Sequence, residues 1–165
     1  MNDVSSVLVN LSRLDGEIAE FENKERAIKA ESQKFDQECR QLEQALQQLS
    51  SQHKDSTEKQ GAEETRLKEE QRKIVERRRQ LSALGGSKSA KLLEREVDVA
   101  GRAITLLETR VVSMLEDLEK LEKKRQEVQI KLELKQKERE TLASTWTEML
   151  SVVQEDIGSR KALRE

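Results

Sequence analysis

Two uninterrupted heptad series, separated by a single glycine-containing break, constrain this sequence more than any other feature. Alternating steps of three and four residues pick out Val7, Leu11, Leu14, Ile18, Phe21, Ile28, Phe35, Cys39, Leu42, Leu46 and Leu49, then Leu67, Ile74 and Leu81. A second series runs from Leu93 through Val97, Ala100, Ile104, Leu107, Val111, Met114, Leu118, Leu121, Val128 and Leu132. It continues through Leu142, Trp146, Met149 and Val153 to Leu163. The same steps also pass through polar residues such as Glu25, Ser32, Gln60, Arg125 and Lys135, so that about seven in ten of all seam positions are apolar, against about two in ten elsewhere, which is the signature of a coiled-coil seam. Neither series needs a stutter, so both predict left-handed supercoiling.

Composition agrees with a seam and not with a wide core. Of 165 residues 39% are charged and 34% hydrophobic, with one Trp, two Phe and no Tyr. A globular domain of this size is nearer half apolar. High charge with few aromatics also marks disordered chains, but here 31 basic and 33 acidic residues nearly cancel and the apolar ones are periodic. The absence of proline suits long helices, because an interior proline costs about 3 kcal/mol.

The break reads Ser82-Ala83-Leu84-Gly85-Gly86-Ser87-Lys88-Ser89-Ala90. A glycine pair supplies the left-handed conformation that ends a helix, and Ser87 or Ser89 can cap the next one. The spacing predicts an all-α fold: one antiparallel two-helix coiled-coil hairpin over 1–165, with helices over about 3–83 and 91–163 and a turn over about 84–90. Folding there brings Ile74 near Ala100, Leu67 near Leu107, and Phe21 near the stretch from Met149 to Val153. Two separate helices in a parallel dimer are the alternative arrangement.

Three regions stand out as candidate binding surfaces. The first arm turns polar at His53, Ser56, Gln60 and Glu63, opposite the apolar run Val111, Val112, Met114, Leu115 and Leu118 on the second. A rich face opposite a poor one leaves apolar surface for a protein partner or a second copy; a plain local defect is the other reading. At the open end, Val4 and Leu8 lie across from Trp146, Met149, Leu150, Val153 and Ile157, a stripe wider than one helix contact requires. Trp146 there is either a binding anchor or a large seam residue. At the turn end, Arg66, Lys68, Arg72, Lys73, Arg77, Arg78, Arg79, Lys88, Lys91 and Arg95 form a basic tip suited to nucleic acid or an acidic surface, or simply to solubility. No aromatic residues interleave with them for base stacking.

No catalytic constellation, phosphate loop or metal-ligand spacing is present, so neither enzyme activity nor a cofactor is expected. His53 is the only histidine and Cys39 the only cysteine, which argues for a polar seam residue and a small buried hydrophobe. No stretch approaches the roughly 20 apolar residues of a membrane span, and no signal-peptide pattern opens the chain. A cytoplasmic protein is the expectation.

The segment QLSALGGSKSAKLLEREVDVAGRAITLLETRVVSMLEDLEKLEKK resembles the coiled-coil part of bacterial proteins that join a helical hairpin to a C-terminal four-cysteine zinc ribbon. Ser89-Ala90-Lys91, Glu94, Glu96, Glu108 and the Leu115–Leu121 stretch carry the resemblance, over about residues 70–125. The paired CxxC motifs are absent, so zinc binding is not implied. In architecture the chain is also similar to FliJ-type export chaperones. These resemblances imply an adaptor, scaffold or chaperone in type III secretion or flagellar assembly, with secretion components or an alternative sigma factor as partners. A nucleic-acid-associated protein and a self-assembling rod are the alternatives that the residues leave open.

Overall fold

The computed structural model describes residues 2–165, with side chains from Val4 onward. Two helices account for nearly all of them: α1, Asn2–Leu84, and α2, Lys88–Arg164. They pack against each other as an all-α hairpin. No helix among the described residues is long and apolar enough to cross a membrane.

The reversal occupies three residues. Gly85 adopts φ +62°, the left-handed conformation that closes a helix C-terminus and that a Cβ disfavours. Ser87 then caps α2: its Oγ accepts the Ala90 N–H at 3.2 Å, and its carbonyl accepts the Lys91 N–H at 3.3 Å. Because Ser87, not Ser89, is the cap, α2 begins about three residues earlier than the sequence suggests.

The hairpin divides into two compact units: residues 46–127, which contain the turn, and residues 1–45 with 128–165. In the turn unit, Leu67 and Ile74 of α1 form one core with Val97, Ala100, Ile104, Leu107 and Val111 of α2. Gln71 donates to Glu108 at 3.2 Å, Arg110 reaches Glu63 at 3.7 Å, and His53 lies 3.6 Å from Glu122. Residue numbers that rise on one arm as they fall on the other define an antiparallel pair, in the register the seams predict. Beyond Leu67 and Val111 this unit contains no further buried side chain.

In the other unit, Ile28, Trp146, Val153 and Ile157 are buried, with Phe21, Phe35, Leu142 and Leu150 packed around them. The ion pairs across its arms set an acid on α1 against a base on α2: Asp15–Arg164, Glu17–Arg160, Glu22–Lys161, Asp36–Arg139 and Glu38–Lys135. Asp15 pairs with Arg164 near the end of α2, Leu14 beside it is still buried, and the described residues 4–10 are all exposed.

Every α1 seam residue from Leu11 to Leu81 is buried or half-buried, but α2 departs from its predicted register. Leu150 and Ile157 turn inward, whereas Met149 is 47% and Leu163 73% exposed. Inward positions 142, 146, 150, 153 and 157 contain two successive four-residue steps, so a stutter exists where none was expected. The reason is chemical. A strict heptad would carry Asp156 into the seam, and burying a carboxylate is costly, whereas the shifted frame buries Ile157 instead.

Candidate functional site

The residues singled out in the sequence fall into two groups. Val111, Trp146, Val153 and Ile157 are buried in the hairpin's own cores, and Met114, Leu118 and Leu150 are half-covered. Trp146 packs edge-on to Phe35, with ring centroids 5.3 Å apart, so its indole fills the seam and is not presented at the surface. Val4, Leu8, Val112, Leu115 and Met149 are exposed. Val4, Val7, Leu8 and Val9, in the first turns of α1, are each more than half exposed.

Opposite the polar stretch of α1 the seam residues of α2 are covered to the same degree as Leu42, Leu46, Leu81 and Leu93 elsewhere in the seam. Val111 is 8% exposed beside Leu67, but Met114, Leu118 and Leu121, facing the stretch from His53 to Glu63, are only half-buried. Gln60 turns along its own helix to donate to Glu64 at 3.1 Å, so it offers these residues little apolar cover.

The basic tip separates into two faces. Arg66, Lys73 and Arg77, spaced by seven and four residues, share one side of α1, while Lys68, Arg72 and Arg79 share another. Much of this charge is already met. Lys73 reaches Glu70 at 2.9 Å, Lys68 reaches Glu64 at 3.0 Å, and Arg79 reaches Glu76 at 3.5 Å. The ammonium groups hold Glu70 and Glu64 below the usual carboxylate range, chiefly by hydrogen bonding from Lys73 and Lys68.

One apolar feature escaped the heptad reading. Leu92, Val99 and Leu106 recur every seven residues on α2, each one position before a seam residue, and are 63%, 66% and 72% exposed. They border two adjoining depressions of about 420 and 590 Å³ that share Glu70 and Ala103. Arg66, Arg77, Arg95 and Arg110 line the same depressions. The signal was visible in the sequence as a second seven-residue recurrence, overshadowed by the stronger seam beside it.

Cys39 is buried in the seam. Nearby, Lys135 Nζ sits 4.1 Å from the centroid of Phe35 and pairs with Glu38. Hydrogen bonding between the two, the largest influence on each, raises the Lys135 pKa above its ordinary value and lowers that of Glu38. Among the described residues no three His, Cys, Asp or Glu side chains converge as a metal site would require. No family model matches the chain, and comparison with curated proteins and with solved structures returns no match.

Proposed function

We propose that this chain is a non-enzymatic adaptor or scaffold that binds helices of other proteins through apolar stripes outside its own seam. The observation that carries this reading is the heptad recurrence of exposed Leu92, Val99 and Leu106. Isolated exposed leucines are ordinary, but three in register along one helix face form the kind of stripe that a further helix covers. Exposed Val112 and Leu115, together with the α1 segment around Val4 and Leu8, extend the apolar surface on offer. A setting in bacterial secretion or flagellar assembly, with an export component or alternative sigma factor as partner, rests on the resemblance of residues 70–125 alone.

The test is affinity capture from nuclease-treated bacterial lysate, with the intact chain compared with Val99→Glu and Leu115→Glu variants. Both positions are exposed, so circular dichroism should show unchanged helicity. A protein recovered by the intact chain, identified by mass spectrometry, lost by a variant and then bound as purified material supports an adaptor. Identical recovery by all three chains refutes docking on these faces.

Nucleic-acid binding through the tip is the second reading, favoured by the arginines that both of its faces carry. It predicts a steep loss of affinity with salt as counterions are released, which burial of an apolar stripe does not. The glutamates already paired with Lys68, Lys73 and Arg79 weaken the field that such binding needs, and the protein-binding reading is preferred for that reason.

A further inference from the structure

The stripe and the basic face of the tip meet in one groove, and together they define what fits there. From Leu92 to Leu106 the stripe covers fourteen residue steps, or about 21 Å of helix. That is the length of contact offered by about two heptads of a docked helix. The floor and sides are apolar: Ala100, Ala103 and Leu107, with the exposed Leu92, Val99 and Leu106 beside them. The lining has four arginines, Arg66, Arg77, Arg95 and Arg110, against two glutamates, Glu70 and Glu96. Glu70 is engaged by Lys73, and Arg110 is engaged by Glu63, so the surplus around the floor remains positive.

We infer that this groove receives an amphipathic helix of another protein whose apolar stripe is flanked by acidic residues. This rests on the adaptor reading and adds the partner's chemistry. Apolar burial on the floor provides affinity, while the arginine lining selects carboxylates and rejects basic flanks. A second copy of the same stripe fits less well. Antiparallel pairing about Val99 sets Lys88 of one copy opposite Arg110 of the other, so like charges meet at both ends of the stripe; Glu96 faces Arg102 between them, but Arg95 faces only Ala103 and, like Arg110, gains no carboxylate from the second copy. Nucleic acid has no use for the exposed leucines.

The experiment uses the full chain and a fluorescein-labelled synthetic helix of about three heptads, with leucine at its seam positions and glutamate flanking them. A control peptide carries lysine in place of each glutamate. Anisotropy is expected to show saturable binding of the acidic peptide, at least tenfold weaker binding of the lysine peptide, and at least tenfold loss with Val99→Glu or Leu106→Glu. Arg95→Glu should weaken the acidic peptide and narrow its advantage over the lysine peptide. Equal binding of both peptides, binding indifferent to Val99→Glu, or no binding at all overturns the inference. So does sedimentation showing a dimer abolished by Val99→Glu, which would assign the groove to a second copy, or displacement of the peptide by a single-stranded oligonucleotide insensitive to Leu106→Glu. A purified partner that depends on Val99 while the acidic peptide fails to bind would leave the adaptor reading standing and sink only the acidic-helix assignment.

Discussion

Trp146 of α2 meets Phe35 of α1 edge to face, with their ring centroids 5.3 Å apart. In a two-helix structure few side chains can be covered on all sides, and Trp146, at 6% exposure, is among the best covered. Trp146→Ala should therefore destabilise the unit formed by residues 1–45 and 128–165 by about 3 kcal/mol, at the low end for a large aromatic because the thin core can relax. Phe35→Leu should cost less, since it keeps much of the apolar contact. Urea titrations followed by circular dichroism check both; a loss below about 1 kcal/mol for Trp146→Ala would contradict the packing described.

The Glu38–Lys135 pair gives a pH signature. The Glu38 pKa lies below its ordinary value in the folded chain, mainly because Lys135 hydrogen bonds to it. A depressed carboxylate contributes stability that is fully present above its unfolded pKa and is lost as pH falls through the folded value. Glu38→Gln should lower the melting temperature at neutral pH, and the gap from the parent chain should close as the solution is acidified below that range. A constant gap across the titration would show that the ion pair is not its source.

At the turn, adjacent glycines should respond differently to the same change. Gly85 sits at φ +62°, and Gly86 has no such restriction and open space where a Cβ would stand. Gly85→Ala should destabilise the turn unit by about 1 kcal/mol. Gly86→Ala should be neutral or slightly stabilising, because alanine restricts the unfolded chain. Thermal melts of the two variants under one set of conditions decide the matter.

Local stability should be uneven within the turn unit. Its buried residues end at Leu67 on α1 and Val111 on α2, while the helix from His53 to Glu63 packs through partly covered polar side chains. Amide hydrogen exchange should be faster over residues 53–63 and 114–121 than over 67–74 and 97–111, because opening the former exposes less apolar surface. Uniform protection across the unit would count against this account.

The hairpin was legible because its determinants are local: a seven-residue repeat, a glycine pair and a serine cap each act within a few residues. Leu67, Ile74, Leu107 and Val111 are buried where the seam places them. Trp146 was ambiguous for a physical reason. A large aromatic at a seam position is compatible both with a core and with a docking anchor, and only the packing of Phe35 against it separates the two. The exposed stripe of Leu92, Val99 and Leu106 was missed because the adjacent seam has the same period and more members. Its neighbours Arg66 and Arg77 come from the opposite arm, so the groove exists only after the chain has turned.

The shifted register near the end of α2 provides the last test. Met149 and Leu150 are adjacent, similar in volume and equally apolar, and a strict heptad series assigns the inward position to Met149. The structure instead leaves Met149 exposed and packs Leu150 against the core of Ile28, Trp146, Val153 and Ile157. Leu150→Ser removes apolar burial and places a hydroxyl in the seam, so it should cost about 2 kcal/mol. Met149→Ser changes a side chain facing water and should stay within about 0.5 kcal/mol of the parent. Ile157→Ser and Asp156→Ser should repeat the contrast, with the isoleucine the costlier loss, because Ile157 is 9% exposed while Asp156 stands at the seam edge and pairs with Arg160 at 3.2 Å. Chemical denaturation of the four single variants reads the register directly: costs concentrated at 150 and 157 confirm the stutter, and costs concentrated at 149 restore the uninterrupted heptad.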